Sequence, residues 1–143
     1  MDIWHVDNKD RTGLMLMRTE GSNFIVIQDG EYKTVLTGRR YSLIHKIYAE
    51  LFAMLADQVT LQKASILDSQ FKTVNEIYLD LNIQNVVDFS SIRTLDSKGL
   101  KIWRTEGYMF VSGDLKNELV KIHDGLEFSL GVSQFGGITG AVE

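Results

Sequence analysis

A fifteen-residue stretch occurs twice in this chain, and the duplication limits the possible folds more than any other feature. Residues 10–24 read DRTGLMLMRTEGSNF and residues 96–110 read DSKGLKIWRTEGYMF. They align without a gap at an offset of 86, and Asp10/Asp96, Gly13/Gly99, Leu14/Leu100, Arg18/Arg104, Thr19/Thr105, Glu20/Glu106, Gly21/Gly107 and Phe24/Phe110 are identical. Internal similarity of this kind implies two like supersecondary units sharing one interior. Each copy reads as a β-hairpin, with an apolar strand, a polar Arg-Thr-Glu-Gly corner and a second apolar run. Glycine after a polar pair supplies the φ > 0 position of a tight turn. Strands are expected at about 13–19 and 22–28, with a third at 31–36 entered through Asp29-Gly30, a strong hairpin signal.

A helix is expected after each hairpin. The first spans about 40–57, with Leu43, Ile44, Ile47, Leu51, Met54 and Leu55 on one apolar face. The second covers 115–123, with Asp114 as N-cap. A further helix is expected over 60–82, where Ala64, Leu67, Phe71, Val74, Tyr78 and Leu81 recur at alternating spacings of 3 and 4. That stripe reads as heptad-like. It would pack against the first helix or form a dimer seam. Residues 2–7 and 85–90 read as additional strands. The expected architecture is therefore α+β: a duplicated β-hairpin–helix unit of antiparallel strands, with a central helical pair between the halves. In this reading residues 1–130 form a single domain of two pseudo-repeats, about 2–57 and 85–125, joined by helix 60–82. Residues 131–143 form a flexible Gly-rich tail.

At 143 residues the chain is long enough to hold itself together by its own core. It has no cysteine, which excludes disulfides and thiolate metal sites, and no proline. There is no run of about 18 apolar residues, so no membrane span is expected. No apolar signal core follows the acidic start, and a cytoplasmic protein is expected. The net charge of −4 weighs against a dedicated nucleic-acid binder. The composition fits a viral or mobile-element accessory protein.

Residues that could carry function are few. Arg18, Glu20, Arg104 and Glu106 are either turn chemistry used twice or a paired recognition surface. Gly38 with Arg39 and Arg40 precedes the expected first helix and is either a solvated loop or a phosphate-binding turn. Phe135 and Ile138 could anchor the tail on a partner. The histidines, His5, His45 and His123, lie far apart, and no metal-ligand spacing appears. His45 and His123 fall at matching places in the two repeats and could meet across a pseudo-axis. No catalytic residues, metal site or cofactor are assigned.

The expected function is a non-catalytic binding or regulatory protein acting through protein–protein contacts. Its partner is another protein, or itself as a homodimer through helix 60–82 or the tail. The alternative is DNA binding through the two hairpins. A duplicated strand–strand–helix unit, with patterns such as Leu100 to Phe110 (LKIWRTEGYMF), resembles the double-wing DNA-binding domain of phage transcription activators. That resemblance implies wings carrying Arg18, Lys101 and Arg104 against Glu20 and Glu106. An enzyme with an unfamiliar site is the second alternative.

Overall fold

Leu43 and Ile44 are adjacent and both fully buried, yet they belong to different hydrophobic clusters. Neighbours on a strand point to opposite faces, so this strand needs a core on both sides. The structure, a computed structural model, describes residues 2–132 and meets that need with three stacked four-stranded sheets.

In chain order the strands begin with β1 (Ile3–Asn8), β2 (Met15–Glu20), β3 (Asn23–Gln28), β4 (Val35–Gly38) and β5 (Tyr41–His45). After a 3-10 turn at Lys46–Tyr48 and the short helix α1 (Ala49–Ala53) come β6 (Val59–Lys63), β7 (Ser65–Asp68), β8 (Thr73–Asn75) and β9 (Tyr78–Ile83). A second 3-10 segment, Phe89–Thr94, leads to β10 (Ile102–Thr105), β11 (Tyr108–Ser112), α2 (Gly113–Ile122) and β12 (Leu126–Leu130). Sheet 1 has the order β10-β11-β1-β12, sheet 2 the order β2-β3-β7-β8 and sheet 3 the order β4-β5-β9-β6. The pairs are antiparallel except β3 with β7.

Sheet 3 is the central layer. One face, with Val35, Ile44, Val59, Leu81 and Ile83, packs with Val6, Ile102 and Met109 of sheet 1 and with Phe52, Leu115 and Leu119 of the two helices. The other face, with Leu36, Leu43 and Tyr78, packs on Leu16, Phe24 and Ile66 of sheet 2. The far side of sheet 1 is covered by the 3-10 segment, whose Ile92 meets Ile3, Trp103 and Phe110. Each fully buried side chain of this size contributes about 1.5–3 kcal/mol. Two side-chain amides join sheets 1 and 3. Asn8 Nδ2 donates to Val35 O at 2.7 Å, and Val35 N donates to Asn8 Oδ1 at 2.9 Å. Gln58 Nε2 donates to Leu100 O at 2.7 Å, and Ile102 N donates to Gln58 Oε1 at 3.0 Å.

The α+β expectation of a duplicated hairpin–helix unit around a central helical pair is overturned: the molecule is mostly β, with few short helices. Both repeat hairpins form, as β2–β3 and β10–β11. Only the second is followed directly by a helix, whose N-cap is Ser112 rather than Asp114. The first leads into β4 and β5, so the resemblance to a double-wing domain loses its topological basis. Of the helix expected over 40–57 only the 3-10 turn and α1 form; its first part is β5, where burial of sheet 3 on both faces gives Leu43-Ile44 no polar alternation. Residues 60–82 form no helix either; they are β6 to β9. Their spacing of 3 and 4 arises from short strands and tight turns: Leu67 lies opposite Val74 across the β7–β8 hairpin, while Ala64, Tyr78 and Leu81 are core residues of other layers. A dimer seam along a helix there is excluded. The expected tail, with Phe135 and Ile138, lies outside the described residues apart from Gly131 and Val132.

The buried polar groups give opposite expectations at two positions. Replacing Asn8 by Ala leaves a buried N–H and C=O of Val35 unpaired and lowers the unfolding free energy by about 2 kcal/mol. The Tyr48 hydroxyl is buried without a hydrogen-bond partner among the described residues, and burial, with a smaller push from the Asp124 charge, raises its pKa to about 12. Tyr48→Phe removes that orphan group and raises stability by about 1 kcal/mol. Urea denaturation of the two variants checks both signs.

Candidate functional site

The two repeat corners have the same letters and different geometry. In the first, Glu20 lies opposite Asn23, a bulge falls between Arg18 and Glu20, and Gly21 takes φ +57°. In the second, Thr105 lies opposite Tyr108, and the left-handed residue is Glu106, at φ +53°. The turn has moved by one residue along an identical sequence. Gly107 explains the shift. A Cβ there would stand 2.7 Å from Gly38 O and 3.2 Å from Arg39 N. The second corner is thus pressed backbone to backbone against the turn between β4 and β5, and only glycine fits.

That contact builds a cleft of about 530 Å³, lined by Arg18, Arg39, Arg40 and Arg104, by Ser42 and Asp80, and by the walls Tyr41, Leu81 and Ile83 among others. The sequence singled out all four arginines, and the fold gathers them. Glu20 and Glu106 do not line it.

The arginines divide by role. Arg18 is a structural clamp. It donates to Asp80 at 2.6 and 3.2 Å, to Gly21 O at 2.6 Å and to Arg40 O at 3.2 Å, and its guanidinium lies 4.7 Å from the Phe24 ring centre. Ser22 Oγ adds a bond to Asp80 at 2.8 Å. The ion pair ties sheet 2 to sheet 3, and such bidentate pairs are the strong ones; the bond to Arg40 O adds the 37–40 turn. Arg104 donates to Glu106 O at 3.1 Å, closing its own corner as Arg18 closes the first. Among the described residues no carboxylate lies within ion-pair distance of Arg39, Arg40 or Arg104. Four guanidiniums against one carboxylate leave the cleft a local net charge of +3. Ser42 is 1% exposed, and its hydroxyl has no hydrogen-bond partner among the described residues. Sequence reasoning missed Asp80 and Ser42, because both sat inside expected helices as ordinary polar neighbours.

Two other surfaces stand out. A second cleft of about 470 Å³ is lined by His45, Tyr78, Tyr32, Lys33 and Asp124 among others. His45 and His123 come near enough to interact: the His45 pKa is lowered by burial first, then by the Lys46 and His123 charges. His45 Nδ1 accepts a hydrogen bond from Ile47 N at 3.1 Å, which requires an unprotonated nitrogen. Among the described residues no three histidines or carboxylates gather as a metal site. The second surface is the outer face of sheet 2. There Met17 lies opposite Ile25, Ile25 beside Leu67, and Leu67 opposite Val74, an apolar row across all four strands. Met17, Leu67 and Val74 are exposed, as are the neighbouring Met15 and Ile27.

Compared with family models, with curated proteins and with solved structures, the chain finds no match. Among the described residues no helix is long and apolar enough to cross a membrane.

Two measurements test this division of roles. Arg18→Ala leaves Asp80 buried without its cation and lowers stability by about 2 kcal/mol; that is below the 3–5 typical of fully buried pairs, since the Arg18 side chain is 33% exposed. Arg40→Ala changes stability by under about 0.5 kcal/mol. For His45, the folded pKa lies below the unfolded value, so the unfolded state takes up the proton first. Its contribution is full above about pH 6.5 and is lost as pH falls through the lowered folded value. His45→Asn keeps a capping group and removes that part of the acid sensitivity, read from melting curves between pH 7.5 and pH 5, values chosen to bracket the unperturbed pKa.

Proposed function

We propose that the chain is a small non-catalytic binding protein whose arginine cleft takes an anionic group of its ligand. One observation supports this above the rest: Arg39, Arg40 and Arg104 converge on a cavity whose carboxylate, Asp80, is engaged by Arg18. Gathering like charges opposes folding, and a concave site focuses their field on an incoming anion. Arginine forks match the oxygens of phosphate and carboxylate in paired bonds. The bound anion would bridge the second corner and the 37–40 turn, which otherwise meet through the backbone at Gly107.

Polyvalent anions bind the folded state and stabilise it by mass action, by about 2.7 kcal/mol when the anion is at a hundred times its dissociation constant, which raises its melting temperature. The expected outcome is a rise in pyrophosphate or sulfate over chloride at matched ionic strength, reduced in Arg40→Ala and Arg104→Ala. Equal melting temperatures in all three salts would contradict the reading.

A second reading has an observation of its own. The apolar row on sheet 2 is a surface of the kind that partner proteins or second copies cover. Leu67→Asp is expected to leave the fold intact and to abolish any concentration-dependent association seen by light scattering. A protein that is monomeric at every concentration tested would remove self-association from this reading.

A further inference from the structure

Building on the reading of the cleft as an anion site, we infer that its ligand is a small organic diphosphate, a diphosphate monoester whose organic part lies on Tyr41. Three observations lead there. The first is charge. The cleft carries a local net charge of +3. A single phosphate ester brings about −1.5 to −2 and leaves the site cationic. A diphosphate monoester adds a further ionised oxygen and closes the balance, with enough oxygens for Arg39, Arg40 and Arg104 to be engaged together. The second is Ser42, 1% exposed and among the residues lining the cleft, whose buried hydroxyl is without a partner among the described residues. A buried donor left unsatisfied is costly, and a phosphoryl oxygen seated between the arginines gives it an acceptor. The third is size and wall chemistry. A cavity of about 530 Å³ falls in the range of about 300–1,000 Å³ that holds small ligands. The half-buried Tyr41 ring in its lining offers an apolar surface to a ring or a chain.

A nucleic-acid strand fits less well. Strand binding grows with the number of phosphates neutralised along a track. This chain has a net charge of −4, so a long polyanion approaching the cleft meets repulsion from the rest of the surface. A small anion responds mainly to the local field.

The test is calorimetric titration of the whole chain with four probes at one ionic strength: ADP, inorganic pyrophosphate, citrate and a single-stranded oligothymidylate. ADP and pyrophosphate are expected to bind, and citrate, an anion of similar charge with carboxylate geometry, at least about tenfold more weakly. Ser42→Ala is expected to weaken pyrophosphate about tenfold, the typical value of a hydrogen bond to a charged group, while its melting temperature without ligand stays level or rises. A purely structural role for Ser42 would lower that melting temperature and leave affinity unchanged, which overturns the assignment. Citrate binding as tightly as pyrophosphate, or the oligonucleotide binding more tightly than either with a steep salt dependence, overturns the diphosphate inference and leaves the anion site standing. Binding of none of the four overturns the anion site itself.

Discussion

Covering sheet 3 on both faces is the constraint from which the rest of the molecule follows. Its strands alternate between two cores, with Ile44 and Leu81 turned to one and Leu43 and Tyr78 to the other. Neither face can be left to water, because each carries several fully buried side chains worth about 1.5–3 kcal/mol apiece. Sheet 1 with the two helices takes one side and sheet 2 the other. The two copies of the repeat therefore end up in different sheets, one on either side of the central layer.

That placement produces the cleft. The corners of β2–β3 and β10–β11 reach the same end of sheet 3, where β4 turns into β5. Arg18 holds the first corner there through Asp80 of β9, and Gly107 holds the second by backbone contact with Gly38 and Arg39. What began as turn chemistry used twice becomes a shared wall, since each arginine binds a carbonyl of its own turn and also faces the cavity. The local charge is a consequence of topology, in a chain whose total charge is negative.

Much of the site was legible in the residues, and much of the fold was not. Arg-Thr-Glu-Gly announced two turns because a polar corner with glycine leaves the chain few other conformations. Arg39 and Arg40 could be marked because paired cations beside a glycine are unusual in a neutral loop. Asp80 and Ser42 could not, because their meaning comes from residues of other sheets: Asp80 from Arg18 of sheet 2, 62 residues away, and Ser42 from the cleft it shares with Arg104 of sheet 1. The helical readings failed for a physical reason. Alternation identifies a strand only when one face is wet. Leu43-Ile44 is dry on both sides, and Leu67 and Val74 are apolar on the wet side, so neither segment shows the expected period. The one-residue slip between the corners was equally hidden. Gly21 and Gly107 are the same letter, but Gly21 has open space around it and Gly107 has the backbone of another turn.

The most direct measurement of this arrangement is a nuclear Overhauser spectrum of the isotopically labelled chain. The account predicts a cross-peak between the Gly107 Hα protons and the Arg39 amide proton, across the contact that brings the second corner to the first. Its absence, with both resonances assigned and sharp, would mean that the corners do not share a cleft.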